Sequence, residues 1–109
     1  MGYEEIAQSV FNKIRAKAID RNLSFSINIQ ELYGLYVNQN KLCAISGVPI
    51  KFKKNHKDEQ TASLDRIDSN KPYTLDNVQW VHKKVNTMKW NLKQEEFLYW
   101  CKIIHNYHK

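Results

Sequence analysis

The sequence predicts a single α+β domain, a small β-hairpin enclosed by helices. Three observations carry that expectation. Apolar residues recur at three- and four-residue steps near both ends of the chain. The middle alternates short apolar stretches with clusters of turn formers. The length, 109 residues, suits one hydrophobic core rather than two.

Over about 3–20, Ile6, Val10, Phe11, Ile14 and Ala18 fall on one helical face. Glu4 and Glu5 lie near its start and Arg15 and Lys17 near its end, as the helix dipole favours. Beyond Arg21 and Asn22, Ser26 is a candidate cap for a second helix carrying Ile29, Leu32, Tyr33 and Tyr36. Gly34 inside it costs roughly 1 kcal/mol in propensity. Residues 42–52 read as a strand, a turn around Ser46 and Gly47, and a returning strand, followed by a basic loop over 53–60. A strand over 62–67 runs into Asp68, Ser69, Asn70, Lys71 and Pro72, a run of turn formers. Thr74 or Asp76 caps a third helix, whose Val78, Val81, Val85 and Met88 form one apolar stripe. Asn91, with Gln94 three residues on, has the form of a capping box for the last helix, with Phe97, Leu98, Cys101 and Ile104 as its buried face. The division is N-terminal helices over 3–39, a core over 42–89 and a C-terminal helix over 92–106.

Hydrophobic residues make up 42% of the chain and charged residues 26%, an ordinary globular balance. The start is acidic and amphipathic, without the blocks of a secretion signal, and no apolar run is long enough to span a bilayer. These features predict a soluble, cytoplasmic protein with no membrane partner. Cys43 and Cys101 are the only cysteines, which rules out a four-cysteine zinc site and suits two small buried hydrophobes. The formal charge of +6 suits a polyanionic partner, since Lys and Arg displace counterions from phosphates. Solubility alone explains such a charge equally well.

The informative stretch is SLDRIDSNKPYTLDNVQWVHKKVNTMK. It offers a strand carboxylate, Asp65, then a turn, Asn77 at the opening of the expected helix, and Asn86 within it. A carboxylate and an amide oxygen on facing elements make a hard donor pair suited to Mg²⁺ that retains several waters. Such an open site leaves positions for phosphate oxygens. The pattern D-x(11)-N-V-Q-x(6)-N-x-x-K, ending at Lys89, resembles the HNH, or ββα-metal, nucleases. That resemblance implies a ββα-metal hairpin-plus-helix core. It makes Asp65 and Asn86 the metal ligands, Asn77 the residue that braces the hairpin, and one Mg²⁺ or Mn²⁺ the cofactor.

Two departures from the family pattern matter. Most members have His directly after the metal-binding Asp, where this chain has Arg66. Arginine stays protonated and cannot accept a proton from water. A subset of the family has the same Asp-Arg-x-Asp-Ser run, in which Arg66 would clamp the scissile phosphate or steady developing charge. The other reading of Arg66 is a salt bridge to Asp68. The base then comes from elsewhere: His82 first, as one helical turn before Asn86, or His56, Tyr73, Tyr36 or a metal-bound hydroxide. The second departure is that Cys43 alone remains of the first zinc-binding pair, with His82 and Val85 at the positions of the second, so no structural zinc is expected. Lys51, Lys53, Lys54, Lys57, Lys71, Lys83, Lys84 and Lys89 bracket the site and suit DNA phosphates, although a solvated loop accounts equally well for the first four.

The function these features lead to expect is hydrolysis of DNA phosphodiester bonds by a monomer or homodimer, in a compact enzyme that suits a phage or mobile element. The competing expectation is a DNA-binding module that keeps the fold without the catalysis. A weaker third is a protein-binding domain that uses its aromatic surface.

Overall fold

The computed structural model describes residues 2–55 and 57–109, and shows an α+β fold of four helices and a two-stranded antiparallel hairpin. In order, these are α1 (Gln8–Asp20), α2 (Ile29–Asn38), β1 (Ala62–Arg66), a 3₁₀ turn (Leu75–Asn77), β2 (Val78–His82), α3 (Lys83–Lys89) and α4 (Gln94–Tyr107).

The first helix starts later than its apolar periodicity suggests. Tyr3 and Ile6 exchange backbone hydrogen bonds in a tight turn, so Glu4 and Glu5 lie outside α1 and its first turn carries no acid. Glu5 instead accepts from Lys41 Nζ at 2.6 Å and from the Tyr33 hydroxyl at 3.1 Å, tying the N-terminal turn to α2. The hydrogen bond from Lys41 holds the Glu5 carboxyl below its ordinary value of 4.5, against the opposing effect of burial. A lowered folded-state value means stabilisation present above that ordinary value and lost as the carboxyl protonates. Glu5→Gln is therefore expected to lower the unfolding midpoint at pH 7, and the gap from the parent should close in acid, below 4.5. Urea denaturation at several pH values measures it.

Asn28, rather than Ser26, caps α2. Its side chain accepts from the Glu31 backbone N–H at 2.8 Å while Glu31 returns the bond at 3.0 Å, a complete capping box. Residues 42–52 make only an isolated bridge between Leu42 and Pro49 around a turn, not a pair of strands. The hairpin is formed by β1 and β2, in register from Ala62↔His82 to Arg66↔Val78. The third helix expected from Thr74 or Asp76 is thus corrected: Val78–His82 is a strand, and only Lys83–Lys89 is helical. Val78 and Val81 are three apart, which fits a helical stripe, but both faces of β2 are covered and the alternation that marks a half-exposed strand is erased.

Alternation sends Leu64, Val78 and Trp80 to one face of the hairpin and Ser63, Asp65, Gln79 and Val81 to the other. The first face meets the main core. Trp80, fully buried, donates its indole N–H to Leu32 O at 2.8 Å and packs edge-on against Phe52, which packs edge-on against Tyr36. The outer edge of β2 is sealed: Gln39 Oε1 accepts from Trp80 N and Gln39 Nε2 donates to Trp80 O, both at 2.9 Å. The second face receives α3 and the first turn of α4.

The last helix also departs from expectation. Its cap is Lys93, without a side-chain hydrogen bond, and Gln94 is its first helical residue. Of the face expected to be buried only Phe97 is; Leu98, Cys101 and Ile104 are exposed, as is every residue from 98 to 109. Only the first turn of α4 touches the body, so its apolar stripe runs on past its partner. No helix of the described residues is long and apolar enough to cross a membrane.

Candidate functional site

In the described residues β1 pairs with β2 on one side only. Over its other edge runs a groove of about 480 Å³, with α1 as one wall and α3 as the other. Val10, Lys13, Ile14 and Lys17 come from α1, with Arg21 as its C-cap; Asn86 and Thr87 come from α3, with Trp90 just beyond it. The groove is strongly basic. Lys13, Lys17, Arg21, Lys53 and Arg66 line it, against Asp65 as its carboxylate.

Asp65 is 4% exposed and its two oxygens are engaged. Oδ1 accepts from Lys89 Nζ at 3.0 Å, and Oδ2 accepts from Nε2 of Gln79, its cross-strand partner, at 2.9 Å. Gln79 Nε2 also donates to Gln94 Oε1 at 2.6 Å, which anchors α4. Lys89 is fully buried and donates to Arg66 O at 2.8 Å. Two buried charges survive desolvation only when paired and hydrogen-bonded, as both are here. The expectation that Lys89 meets DNA phosphate is therefore corrected: its ammonium is spent inside the protein.

Asn86 sits on α3 facing β1, where its Nδ2 donates to Ser63 Oγ at 2.7 Å. That bond leaves its carbonyl oxygen available as a donor beside the same groove. Among the described residues no three His, Cys, Asp or Glu side chains gather as a metal cluster. The donors here are one carboxylate and one amide oxygen, both hard, and they fit an ion that keeps most of its own water. Asp65 accepts two hydrogen bonds where a carboxylate has about four lone-pair sites, so acceptor capacity remains. Lys89 weakens the fit by already balancing its charge.

The connection between β1 and β2 is held by two side chains. Asn77, buried, accepts from Asp68 N at 3.0 Å and donates to Asp68 O at 3.1 Å and Pro72 O at 3.0 Å. Arg66 donates from Nη1 to Ser69 O at 2.7 Å and Lys71 O at 3.0 Å, and its guanidinium lies 5.2 Å from the centre of the Tyr73 ring. Among the described residues no salt bridge joins Arg66 to Asp68. Asn77→Ala removes three bonds to the loop backbone, each worth about 1 kcal/mol net, with water able to replace some of them. The expected loss is about 2 kcal/mol, read as a lower urea midpoint at unchanged slope.

His82 does not stand one helical turn from Asn86, because the helix begins at Lys83. It ends β2 on the face opposite Asp65, and its Nδ1 accepts from Lys84 N at 3.1 Å as the cap of α3. The geometric reason for ranking it first as the base is therefore lost. Tyr36 lies in the core and donates its hydroxyl to Ile50 O at 2.9 Å, with burial pushing its phenol up. Tyr73 lines the groove. His56 falls outside the described residues.

Of the other lysines expected to bracket the site, only Lys53 lines the groove. Lys51, Lys54, Lys71 and Lys84 are exposed elsewhere, and Lys83 pairs with Glu59, whose carboxyl that contact holds low. The cations of α1 were missed by sequence reasoning, although Lys13, Lys17 and Arg21 recur every fourth residue.

No protein-family profile matches the chain, and no solved structure matches it. An uncharacterized protein of Acanthamoeba polyphaga mimivirus, R423, is 29% identical to it over 107 residues, 98% of the chain. The chain spans 18% of the length of that viral protein.

Proposed function

We propose that the protein is a metal-dependent DNA endonuclease of the HNH, or ββα-metal, type. The observation that carries the reading is that Asp65 on β1 and Asn86 on α3 line one basic groove, on a hairpin followed directly by a helix. Asp65 and Asn86 are the residues to hold Mg²⁺ or Mn²⁺. Bound there, the ion supplies Lewis-acid relief of the charge that builds as a phosphodiester bond breaks. Arg66 spends both hydrogens of Nη1 on the loop, which leaves its other N–H donors free for a phosphate oxygen. Asn77 keeps the strand-to-strand loop, and so the aim of Asp65, fixed.

One observation favours the second reading, a binding module without catalysis. Lys89 and Gln79 already occupy both oxygens of Asp65. The two readings part on conversion of supercoiled plasmid to nicked or linear form with Mg²⁺ or Mn²⁺, beside EDTA. The nuclease reading expects cutting that EDTA stops. The module reading expects DNA retention at low salt and no cutting with either metal.

A further inference from the structure

The groove has a wall that the Asp65 and Asn86 chemistry does not use. Lys13 and Lys17 stand four residues apart on α1, Arg21, its C-cap, follows four further on, and all three line the groove. Residues at that spacing share one helical face, about 6 Å apart along the axis. Like charges so placed destabilise a helix by repulsion. Among the described residues none of the three has a salt-bridge partner to offset that cost. The helix dipole favours Lys17 and Arg21 at the C-terminal end, but only an anion that repeats along a line engages all three at once.

On the opposite wall stands Trp90, 78% exposed although it lines the groove. Its backbone adopts φ 52°, a conformation that a bulky side chain rarely takes. An open aromatic face across from a row of cations is the combination that grips a nucleic-acid strand, with phosphates on one side and a base or sugar on the other. A simple polyanion has no use for the ring.

We infer that α1 is a backbone track for the nucleic acid, with Lys13, Lys17 and Arg21 contacting successive phosphates of the strand that passes over β1. This rests on the proposed reading of the groove as the place where nucleic acid is engaged. It adds a binding wall from a helix outside the hairpin-and-helix unit. Lys53, from the loop before β1, also lines the groove.

The test measures binding of a labelled DNA duplex by fluorescence anisotropy in EDTA, so that cutting plays no part, over a series of salt concentrations. Lys13→Ala/Lys17→Ala is compared with Lys102→Ala/Lys109→Ala, which removes the same charge from the exposed part of α4 and the residues just after it. Alanine is a good helix former at Lys13, Lys17 and Lys102, and Lys109 lies exposed beyond α4, so the fold is preserved. Each phosphate contact contributes about 0.9 to the slope of log affinity against log salt. The α1 pair is expected to lower the slope by about 2 and weaken binding at least about 10-fold at moderate salt, while the α4 pair leaves the slope unchanged. Equal slopes and affinities for the two pairs, or no DNA binding by the parent protein, overturn the inference. A parent that binds through α1 but never cuts leaves the track standing and removes the nuclease reading. A parent that cuts while the α1 pair binds as tightly as the α4 pair does the reverse.

Discussion

Lys89→Met is expected to destabilise the protein by about 3–5 kcal/mol, because it leaves the Asp65 carboxylate buried with Gln79 as its remaining donor. Against a total stability of about 5–15 kcal/mol for a domain of this kind, that is a large share. Urea or thermal unfolding measures it, and for a chain of this size each kcal/mol moves the thermal midpoint by roughly 4–8 °C. The double change Asp65→Leu/Lys89→Met removes both charges and should recover most of the loss, since a buried pair is often replaceable by apolar groups of similar volume. A Lys89→Met protein within about 1 kcal/mol of its parent would show that the pair does not hold α3 to β1, and that Lys89 is free to move off Asp65.

Asn86→Ala is expected to lower metal-dependent DNA cutting by at least about 100-fold. Loss of residues that merely support metal ligands costs 10–100-fold in affinity or activity, and removal of a ligand itself should cost no less. Its structural cost is small by comparison. The side chain makes one hydrogen bond, to Ser63 Oγ, worth about 1 kcal/mol. Ser63→Ala separates the two effects: it removes the same bond but keeps the amide oxygen, so cutting should fall by only about 10-fold, the lower end for a residue that supports a ligand. If Asn86→Ala and Ser63→Ala cut alike, Asn86 is a structural residue and not a ligand.

The sequence disclosed the residue types of the site better than the elements that carry them. Asn86 stood out as a candidate because Asn is a poor helix former, whereas Asp65 and Asn77 suit an ordinary turn and helix start and were marked only by their spacing in the resemblance to HNH nucleases. The strand Val78–His82 was not legible, because both of its faces are covered, so Val81 beside Trp80 breaks the alternation and Val78 and Val81 fall at helical spacing. The capping box on α2 was present in the sequence as Asn28 and Glu31, but Ser26 competes for the same role by composition alone. Lys89 illustrates the limit more sharply. A lysine near a proposed site reads as a surface cation, and its burial depends on a carboxylate 24 residues earlier in the chain. The exposed stripe of α4 is the converse case: periodicity reports an apolar face, not whether the chain supplies a partner for it.

The most direct measurement is a titration of plasmid nicking against Mg²⁺ and against Mn²⁺, with the parent protein, Asp65→Ala and Asn86→Ala side by side. Each variant's helical content is checked by circular dichroism. The account predicts cutting by the parent that rises with metal, stops with EDTA and falls at least about 100-fold in both folded variants. Cutting by a folded Asn86→Ala variant that matches the parent, or a parent that binds DNA and leaves every plasmid and duplex intact at all metal concentrations, would contradict it.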